Sequence, residues 1–208
     1  MSKKAIIGIG NPGEQYRDTF HNEGASFVMW LAGENASWTS RSHVRYTQQG
    51  DVLLAITTDY MNESGHGVRE LIDWLKLDPA DVIIAHDDTD QVLGNFKIVR
   101  GGGSGGHKGV ISITETLGTP NFWRLKFGAR PERFSGAPHI KAENFVLNKL
   151  GSEERELLYG VAFAGAAKTA WNDIEKLVPS GPDRISAIGS VTPDSDESPS
   201  SMRLKDNN

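Results

Sequence analysis

Residues 5–13 read AIIGIGNPG and residues 82–90 read VIIAHDDTD, so each segment is a short apolar run that ends in turn or charged residues. Runs of this length, rich in β-branched side chains and bounded by turn residues, predict strands, several of them buried on both faces. Residues 52–57, 96–99 and 122–127 repeat the pattern. The sequence therefore predicts a central sheet built from strands that are spread along the chain.

Helical patterns separate these strands. Apolar residues recur at the spacing of one helix face over residues 68–75, and a longer apolar stripe begins near Ser152. Strands that alternate with helices predict an α/β fold, here a single domain with a mixed central sheet flanked by helices. From residue 179 onward Pro, Ser, Gly and Asp dominate and the apolar periodicity stops. We therefore predict a folded domain over residues 1–178 and a disordered acidic tail over residues 179–208.

The chain of 208 residues contains no cysteine. This composition excludes disulfides, thiol nucleophiles and thiolate metal sites, and it favours a reducing compartment. No apolar run approaches the roughly 18 residues that a membrane-spanning helix needs, and the first residues lack the long apolar core of a secretory signal. We therefore predict a cytoplasmic protein with no membrane partner.

Charge is unevenly distributed along the chain, whose formal net charge is -5. Residues 1–96 hold seven Lys and Arg against fourteen Asp and Glu, whereas residues 97–133 hold seven against two. The overall charge argues against a general nucleic-acid coating protein, while the local basic stripe favours one anionic ligand at one face. Considered by itself, the stripe also fits a set of solvated surface charges.

Residues 8–13 read GIGNPG and formally match the GxGxxG pattern of dinucleotide-binding folds. That fingerprint needs a helix that opens at once, so that the helix N-terminus meets the pyrophosphate. Here Asn-Pro-Gly is turn chemistry, and no helical apolar stripe follows it. We therefore favour a turn that presents Asn11 to a substrate over a purely structural turn and over a nucleotide site.

His21 and the segment at residues 86–90 are candidates for proton transfer. His21 follows the first predicted strand, and ligands of open α/β sheets bind at the carboxyl ends of the strands. Imidazole is the side chain best matched to general base work at neutral pH, although an ordinary surface histidine is the commoner case. Asp87 follows a buried strand and could orient that histidine. With Asp88 and Asp90 it could instead hold a divalent cation, and we favour the orienting role.

Two further segments connect strands to helices with polar or flat side chains. Residues 101–109 read GGGSGGHKG, and so many glycines permit close backbone approach to an anion or a carbonyl oxygen, although a flexible spacer looks similar. Residues 57–62 read TTDYMN. In this segment Asn62 suits a peptide group or an attacking water, and Tyr60 and Met61 offer apolar surfaces for a base or a sugar. For Met61 a place in the hydrophobic core is at least as well supported.

Taken together, five segments resemble the bacterial-type peptidyl-tRNA hydrolase family in order and spacing. They cover roughly residues 4–175 and read GIGNPGEQYRDTFHNEG, TTDYMNESG, HDDTD, GGGSGGHKG and PNFWRLKFG. The resemblance implies an α/β fold with a mixed sheet, and hydrolysis of the ester that joins a peptide to the terminal ribose of a transfer RNA. It also implies no metal, no organic cofactor, a monomer, and peptidyl-tRNA as the partner, bound at its acceptor stem and 3′ end.

The same resemblance implies a role for each matching residue. His21 falls on the family's proton acceptor and Asp87 on the carboxylate that stabilises its working form. Asn11 falls where the family tells blocked from free aminoacyl ends, and together with Asn62 it is a candidate for stabilising the oxyanion. The residues that fall on contacts to the tRNA end and the peptide, or lie beside them, are Tyr16, Tyr60, Met61 and Asn62.

Basic residues mark where this chain departs from the family pattern. The family reads GGHNG where this chain reads GGHKG, and Lys108 cannot accept a hydrogen bond as an asparagine amide does. We therefore expect altered substrate binding more than altered chemistry. One position of the family's basic clamp for the 5′ phosphate aligns with Lys126. The other aligns near Val99, next to Lys97 and Arg100.

Two other classes of function stay open on the sequence alone. A non-catalytic RNA-binding relative of the same fold, acting as a ribosome or splicing adaptor, would tolerate Lys108 easily. A phosphatase or nuclease built on Asp87, Asp88 and Asp90 would need a divalent metal. Both are less well supported than a hydrolase, because His21 and Asp87 are present and no familiar metal pattern is complete.

Overall fold

The computed structural model describes residues 4–134, 140–173 and 187–189. Within these residues eight strands form one sheet: β1 (Lys4–Gly8), β2 (Thr39–Ser40), β3 (Val44–Gln49), β4 (Val52–Thr57), β5 (Val82–Val92), β6 (Phe96–Arg100), β7 (Trp123–Arg130) and β8 (Ala187–Gly189). The same residues form five α-helices: α1 (Glu23–Ala32), α2 (Ser64–Leu75), α3 (Lys108–Leu117), α4 (Ser152–Glu156) and α5 (Ala164–Asp173). A π-helical segment (Leu157–Phe163) joins α4 to α5.

The sheet is mixed, with the strand order β2-β3-β4-β1-β5-β7-β6-β8. Its four central strands, β4, β1, β5 and β7, run parallel to one another. The outer strands pair in the antiparallel direction. The parallel strands share one carboxyl edge, which is where open α/β sheets place their ligands. The predicted α/β fold with a mixed sheet flanked by helices is therefore confirmed.

Helices cover both faces of the sheet, which explains the nearly continuous apolar runs of its central strands. On one face α1, the π-helical segment and α5 pack over side chains that include Ile6 and Phe127. On the other face α2 and α3 pack over side chains that include Ile7 and Ile84. Ile6 and Ile7 enter different cores because successive side chains of a strand point to opposite faces.

Two glycines set the distance between α1 and the sheet. A Cβ atom on Gly24 would lie 2.0 Å from the carbonyl oxygen of Ala85, and one on Gly8 would lie 2.3 Å from the carbonyl oxygen of Gly24. Glycine is therefore required at both positions, and the start of α1 packs directly against β1 and β5. His21 precedes Gly24 by one helical turn, so this contact also fixes His21 beside the residues that follow Ala85.

All five predicted strand runs overlap with strands, and the helices predicted at residues 68–75 and from Ser152 are present. β5 is longer than its apolar run, because residues beyond Ala85 continue to pair with β7. β3 was not predicted. Its sequence VRYTQQ is mostly polar, and only its first residue is buried.

The predicted tail at residues 179–208 lies outside the described residues except at Ala187–Gly189. These three residues form β8, which pairs with β6 and was not predicted. The domain boundary at residue 178 and the disorder of the remaining tail stay predictions. Of the helices in the described part of the chain, none has the length and the apolar character to cross a membrane.

Candidate active site

His21 lies in a short 3-10 turn, Phe20–Asn22, that leads into α1. Its backbone N–H donates to the carbonyl oxygen of Val146 at 2.8 Å, which ties the turn to the loop after residue 140. Its ring nitrogen Nδ1 lies 2.8 Å from Oδ1 of Asp87. Because an ionised carboxylate only accepts hydrogen bonds, Nδ1 carries the proton of the neutral ring and Nε2 is left as the base.

A second histidine holds the same carboxylate oxygen. His107 donates from Nε2 to Oδ1 of Asp87 at 2.8 Å. Its other nitrogen, Nδ1, caps α3 by accepting from the backbone N–H groups of Gly109 at 3.1 Å and Val110 at 3.4 Å. This cap requires an unprotonated Nδ1, so the proton of the neutral ring stays on Nε2. Asp87 therefore receives two N–H donors, one of them from a ring whose tautomer the helix fixes.

These contacts move the pKa values of His21 and Asp87 apart. Burial by itself would raise the pKa of the Asp87 carboxyl, but the charges and hydrogen bonds of His107 and His21 outweigh burial and hold that pKa below its ordinary value. Burial by itself would lower the pKa of His21, but Asp87 outweighs it and raises that pKa above 6.5, while Lys108 opposes the rise. Asp87 is therefore ionised, and His21 is a stronger base than free imidazole.

His86 packs beside the pair as a neutral ring. Its Nδ1 donates to the carbonyl oxygen of Asp87 at 2.6 Å, and its ring centroid lies 4.7 Å from that of His107. Burial, followed by the charge of His107, lowers the pKa of His86 to about 3. Its Nε2 is buried and has no hydrogen-bond partner within the described part of the chain. The ring therefore adds no positive charge to compete with His21 for Asp87.

Glu23, the first residue of α1, is fully buried. Neither of its carboxylate oxygens has a hydrogen-bond partner among the described residues. Burial raises the pKa of Glu23 well above its ordinary value, and the negative charge of Asp87 adds to the rise. The folded state therefore favours the neutral acid, because ionised Glu23 would be a second, unpaired negative charge close to Asp87.

Asn11 is oriented by three hydrogen bonds. The buried side chain of Asn22 donates to the Asn11 carbonyl oxygen at 2.9 Å and accepts from the Asn11 backbone N–H at 2.8 Å. The side-chain oxygen of Asn11 accepts from the backbone N–H of Met61 at 2.9 Å. A backbone N–H can only donate, so the oxygen of the Asn11 amide faces Met61 and its Nδ2 is left as a donor beside the cleft.

His21, Asp87, His86, His107 and Asn11 line one cleft with a volume of about 560 Å³. Walls of the cleft come from the end of the glycine-rich loop and from the loop that includes Lys141 and Leu147. Eight of the ten residues predicted for the site line the cleft: Asn11, Tyr16, His21, Met61, Asn62, Asp87, Lys108 and Lys126. Met61 is also buried in the core, so the core interpretation of that residue is confirmed, and its contact with the substrate stays a prediction.

Tyr60 and Arg100 are the two predicted site residues that do not line the cleft. Tyr60 is 50% exposed and packs edge to face against Tyr16, with ring centroids 6.3 Å apart. Arg100 pairs with Trp123, and its guanidinium lies 5.8 Å from the centroid of that ring. Trp123 begins β7, whereas Asp87 pairs with β7 four residues further along. The structure therefore brings Tyr60 next to the cleft and places Arg100 away from it.

Three lysines supply positive charge to the cleft: Lys108, Lys126 and Lys141. Lys126 is already in an ion pair, with its Nζ 2.6 Å from Oδ2 of Asp88. Burial would raise the pKa of Asp88, but its hydrogen bond and ion pair with Lys126 outweigh burial and lower it. Lys108 is exposed and is the first residue of α3. We call these three residues the lysine rim.

The glycine-rich loop has a fixed path. Four of its residues have φ between 61° and 86°, a range that side chains other than glycine rarely adopt: Gly101, Gly102, Gly105 and Gly106. The buried guanidinium of Arg124 donates to the carbonyl oxygens of Gly101 and Gly103. Because the loop ends with His107 against Asp87, its geometry favours a functional loop over a flexible spacer.

The metal site considered at Asp87, Asp88 and Asp90 is not supported by these contacts. Asp87 accepts hydrogen bonds from two histidines, and Asp88 accepts from Lys126 and from Gln91. Among the residues that the structure describes, the three carboxylates do not form a group with metal-ligand spacing. A phosphatase or nuclease that depends on this triplet therefore has no geometric basis here.

Comparison with known proteins identifies the family. The family model for peptidyl-tRNA hydrolase matches residues 5–181. The chain belongs to the peptidyl-tRNA hydrolase family. Among similar curated proteins, the peptidyl-tRNA hydrolase of Desulfotalea psychrophila is 35% identical over 182 residues, 83% of this chain and 92% of the relative. That of Marinobacter nauticus is 39% identical over 166 residues, 75% of this chain and 81% of the relative.

A solved structure agrees with this assignment. The crystal structure of peptidyl-tRNA hydrolase from Acinetobacter baumannii superposes with a TM-score of 0.68 and 32% identity, covering 85% of this chain and 88% of that one. The predicted resemblance to the peptidyl-tRNA hydrolase family and the predicted hydrolase activity are therefore confirmed. The adaptor alternative gains no support, because each of these relatives bears the name of an enzyme.

Several residues of the site were not predicted from the sequence. His107 stood inside the quoted glycine-rich loop, but its contact with Asp87 depends on the path of that loop, and histidine is not among the residues that prefer helix N-caps. Asn22 and Glu23 lie next to His21 without any spacing that reveals their burial. The loop that includes Lys141 and Leu147 contains no recognisable motif.

Proposed function

We propose that this protein hydrolyses the ester between a peptide and the terminal ribose of tRNA, with His21 as the general base. One observation carries the proposal: the 2.8 Å hydrogen bond from Nδ1 of His21 to the buried Oδ1 of Asp87. This bond lies at a cleft of about 560 Å³, which is within the usual size of small-ligand sites and suits an acylated ribose.

In the proposed reaction, Nε2 of His21 takes a proton from a water molecule as the water oxygen attacks the ester carbonyl carbon. The carbonyl double bond opens to an oxyanion, and Asp87 stabilises the imidazolium that forms. The tetrahedral intermediate then collapses and expels the 3′ oxygen of the ribose, which receives the proton from His21. The products are a peptide with a carboxyl end and tRNA with a free hydroxyl, and His21 is neutral again.

The oxyanion needs donors that are already in place. Asn11 is the better candidate, because its amide oxygen is engaged by Met61 and its Nδ2 is left to donate. Asn62 lines the same cleft and is exposed, so its amide has the freedom to bind the peptide group. We assign Asn11 to the ester carbonyl or its neighbouring amide, and Asn62 to the peptide.

Recognition of the tRNA end is assigned to the outer part of the cleft. Tyr16, with Tyr60 packed against it, offers a flat surface for the terminal base or sugar, and Met61 extends this surface inward. Lys108 and Lys126 attract the phosphates of the acceptor stem. Arg100 is the weakest assignment, because it would have to meet the tRNA away from the cleft.

We place this reaction in the cytoplasm, where translation provides the substrate. We also infer a monomer, because one chain supplies the base, its carboxylate and the cleft. Hydrolysis by His21 and Asp87 requires no metal and no organic cofactor.

The experiment is a hydrolysis assay with N-acetylaminoacyl-tRNA, in which the release of free tRNA is measured with and without EDTA. We expect release that EDTA does not reduce. Release that EDTA abolishes would indicate a metal enzyme, and binding without release would indicate an adaptor. The matched substrate is the same aminoacyl-tRNA with a free amino group, which we expect to be cleaved much more slowly, and an Asn11→Ala variant should narrow that difference.

A further inference from the structure

A second histidine–carboxylate cluster lies outside the cleft and consists of His43, Asp59 and His66. The Nδ1 atoms of His43 and His66 lie 2.8 Å and 3.8 Å from Oδ2 of Asp59. The three potential ligand atoms all lie within 4.8 Å of one another. None of the three residues lines the cleft, and none has a part in the proposed reaction. We call this group the His43 cluster.

We propose that the His43 cluster binds a divalent d-block cation, with Zn²⁺ as the best match. Two imidazoles and one carboxylate are a common donor set for such ions. A tetrahedral zinc ion with ligand bonds of about 2.0–2.1 Å holds its ligand atoms roughly 3.3 Å apart. The two separations from Asp59 are 2.8 Å and 3.8 Å, so each needs to change by only about 0.5 Å to meet that value.

The backbone positions of the three ligands are held before any ion binds. His43 lies just before β3, Asp59 follows β4, and His66 lies in the first turn of α2. The backbone N–H of His43 donates to Glu70 of α2 at 2.8 Å, and the His43 carbonyl oxygen accepts from Thr58 at 2.9 Å. These bonds connect all three elements, so the change on binding is confined to the side chains. The two histidine ligand atoms, which lie within 4.8 Å of each other, then close toward roughly 3.3 Å.

Close packing of α2 supports the same conclusion. A Cβ atom on Gly67, the residue after His66, would lie 2.6 Å from the carbonyl oxygen of His43. Glycine at this position lets the helix approach the loop closely enough for His66 to face Asp59. The packing of the backbone therefore places the two histidines next to each other.

The His43 cluster differs from the histidine–carboxylate group in the cleft in the hydrogen bonds that its atoms already make. In the cleft, Asp87 accepts from two histidines at 2.8 Å, and Nδ1 of His107 is used as a helix cap. In the His43 cluster only His43 is within hydrogen-bond distance of Asp59, and His66 stands 3.8 Å away. Side-chain exposures of 42%, 22% and 57% for His43, Asp59 and His66 leave room for water as a fourth ligand.

An ion in the His43 cluster would act on the neighbouring cleft through the chain. Asp59 is followed by the segment that carries Met61 and Asn62, and the backbone N–H of Met61 is the group that orients the Asn11 amide. Zinc is therefore expected to stiffen this segment without taking part in the hydrolysis. The sequence predicts no metal, and the proposed zinc site departs from that prediction at a place away from the reaction.

The test is a titration of the untagged full-length protein with ZnCl2 by isothermal calorimetry, with Co²⁺ absorption as the probe of coordination geometry. We expect one zinc ion with a dissociation constant tighter than about 100 µM, and visible Co²⁺ bands typical of four-coordinate sites. Asp59→Asn and His66→Gln should each weaken binding at least about 100-fold, beyond the roughly 10- to 100-fold loss typical of an outer-shell partner.

His107→Gln is the matched control, because it removes one histidine from the other cluster. We expect this variant to bind zinc as the parent protein does. Weaker binding by the parent protein, equal binding by Asp59→Asn, or loss of binding in His107→Gln alone would each overturn the proposal. Thermal unfolding without metal shows whether each variant is folded, and the exposed His66 provides a substitution that leaves the core untouched.

Discussion

The cleft combines two regions of opposite physical character, the His21–Asp87 pair and the lysine rim. In the pair, side-chain exposures are 13% and 1%, and both ring-to-carboxylate bonds on Asp87 are 2.8 Å long. In the rim, Lys126 is 22% exposed and Lys141 is 76% exposed. One region is shielded and fixed, and the other is open to water and ions.

Because of this difference, substitutions in the two regions should have effects of different size. Charges interact strongly where water is excluded and weakly where it is present, and salt screens only the latter to a large degree. Changes in the pair should therefore alter the chemical step by orders of magnitude. Changes in the rim should alter substrate binding modestly and in a salt-dependent way.

The largest expected effect comes from Asp87→Asn. An amide offers one acceptor and one donor, whereas Asp87 faces two N–H donors. His107 must keep its proton on Nε2, because its Nδ1 caps α3, and so it takes the amide oxygen. His21 then faces the amide N–H, so its Nδ1 must become the acceptor and its proton must move to Nε2. We expect kcat to fall about 10²- to 10⁴-fold with little change in tRNA binding.

The control for this variant is Asp90→Asn, an exposed carboxylate at the same strand. Its kcat should stay close to that of the parent protein. If both variants lost activity equally, the special role of the shielded pair would be contradicted, and the metal interpretation of the three aspartates would regain support.

The next largest effect concerns stability and comes from Glu23→Gln. The pKa of Glu23 is raised in the folded state, so its contribution to stability is fully present below the unfolded value of 4.5 and is lost as pH rises toward the folded pKa. Glutamine does not titrate. We therefore expect the variant to gain stability relative to the parent as pH rises above 4.5, by at most about 1.4 kcal/mol per pH unit.

Urea unfolding at pH 5 and at pH 8 measures this effect. The difference in unfolding free energy between variant and parent should be larger at pH 8. A difference that stays constant with pH would show that Glu23 is not shielded as its burial indicates.

A smaller effect is expected from Lys126→Ala, which removes one charge from the lysine rim. We expect KM to rise about tenfold with kcat nearly unchanged, and the salt dependence of binding to weaken by roughly one phosphate contact. Lys126→Arg should keep most of the affinity. The control is Lys168→Ala, which changes an exposed lysine of α5. Lys149 is less suitable as a control, because its Nζ donates to the backbone carbonyl oxygens of Glu14 and Arg17. Equal effects at Lys126 and Lys168 would remove the assigned role of the rim.

The smallest effect comes from Lys108→Asn, which changes a residue of the lysine rim and acts on the His21–Asp87 pair. The positive charge of Lys108 lowers the pKa of His21, against the larger raising effect of Asp87. Lys108→Asn should therefore raise the pKa of His21 further and move the acid limb of the kcat/KM profile to higher pH. A limb that moves to lower pH would contradict the assignment of that limb to His21. The same variant also restores the family pattern GGHNG, so its KM reports what the lysine does to substrate binding.

Much of the fold followed from the sequence, because apolar runs of strand length are local signals. β1, β4 and the start of β5 were predicted in this way, and their shared carboxyl edge brings His21 and Asp87 together. The polar part of β5 was not predicted, because its residues carry no local apolar pattern and are held in the strand by pairing with β7. The polar strand β3 was missed for the same reason.

The site was predicted in outline but not in its supporting contacts. His21, Asp87 and Asn11 stand in local motifs, so their chemistry could be recognised. The hydrogen bond of His107 to Asp87 spans 20 residues of chain, and the contact of His21 with Val146 spans many more. The contact of His107 depends on a loop path that is set by glycine conformations and by the buried Arg124 together.

The role of His21 as the general base is tested most directly by the single-turnover hydrolysis of N-acetylaminoacyl-tRNA by His21→Ala, combined with the affinity of this variant for the same tRNA. We expect the rate to fall about 10²- to 10⁴-fold and the dissociation constant to change by less than about threefold. A rate equal to that of the parent protein would contradict the assignment of His21 as the base, and a rate loss that is matched by a loss of binding would contradict the separation between the shielded pair and the lysine rim.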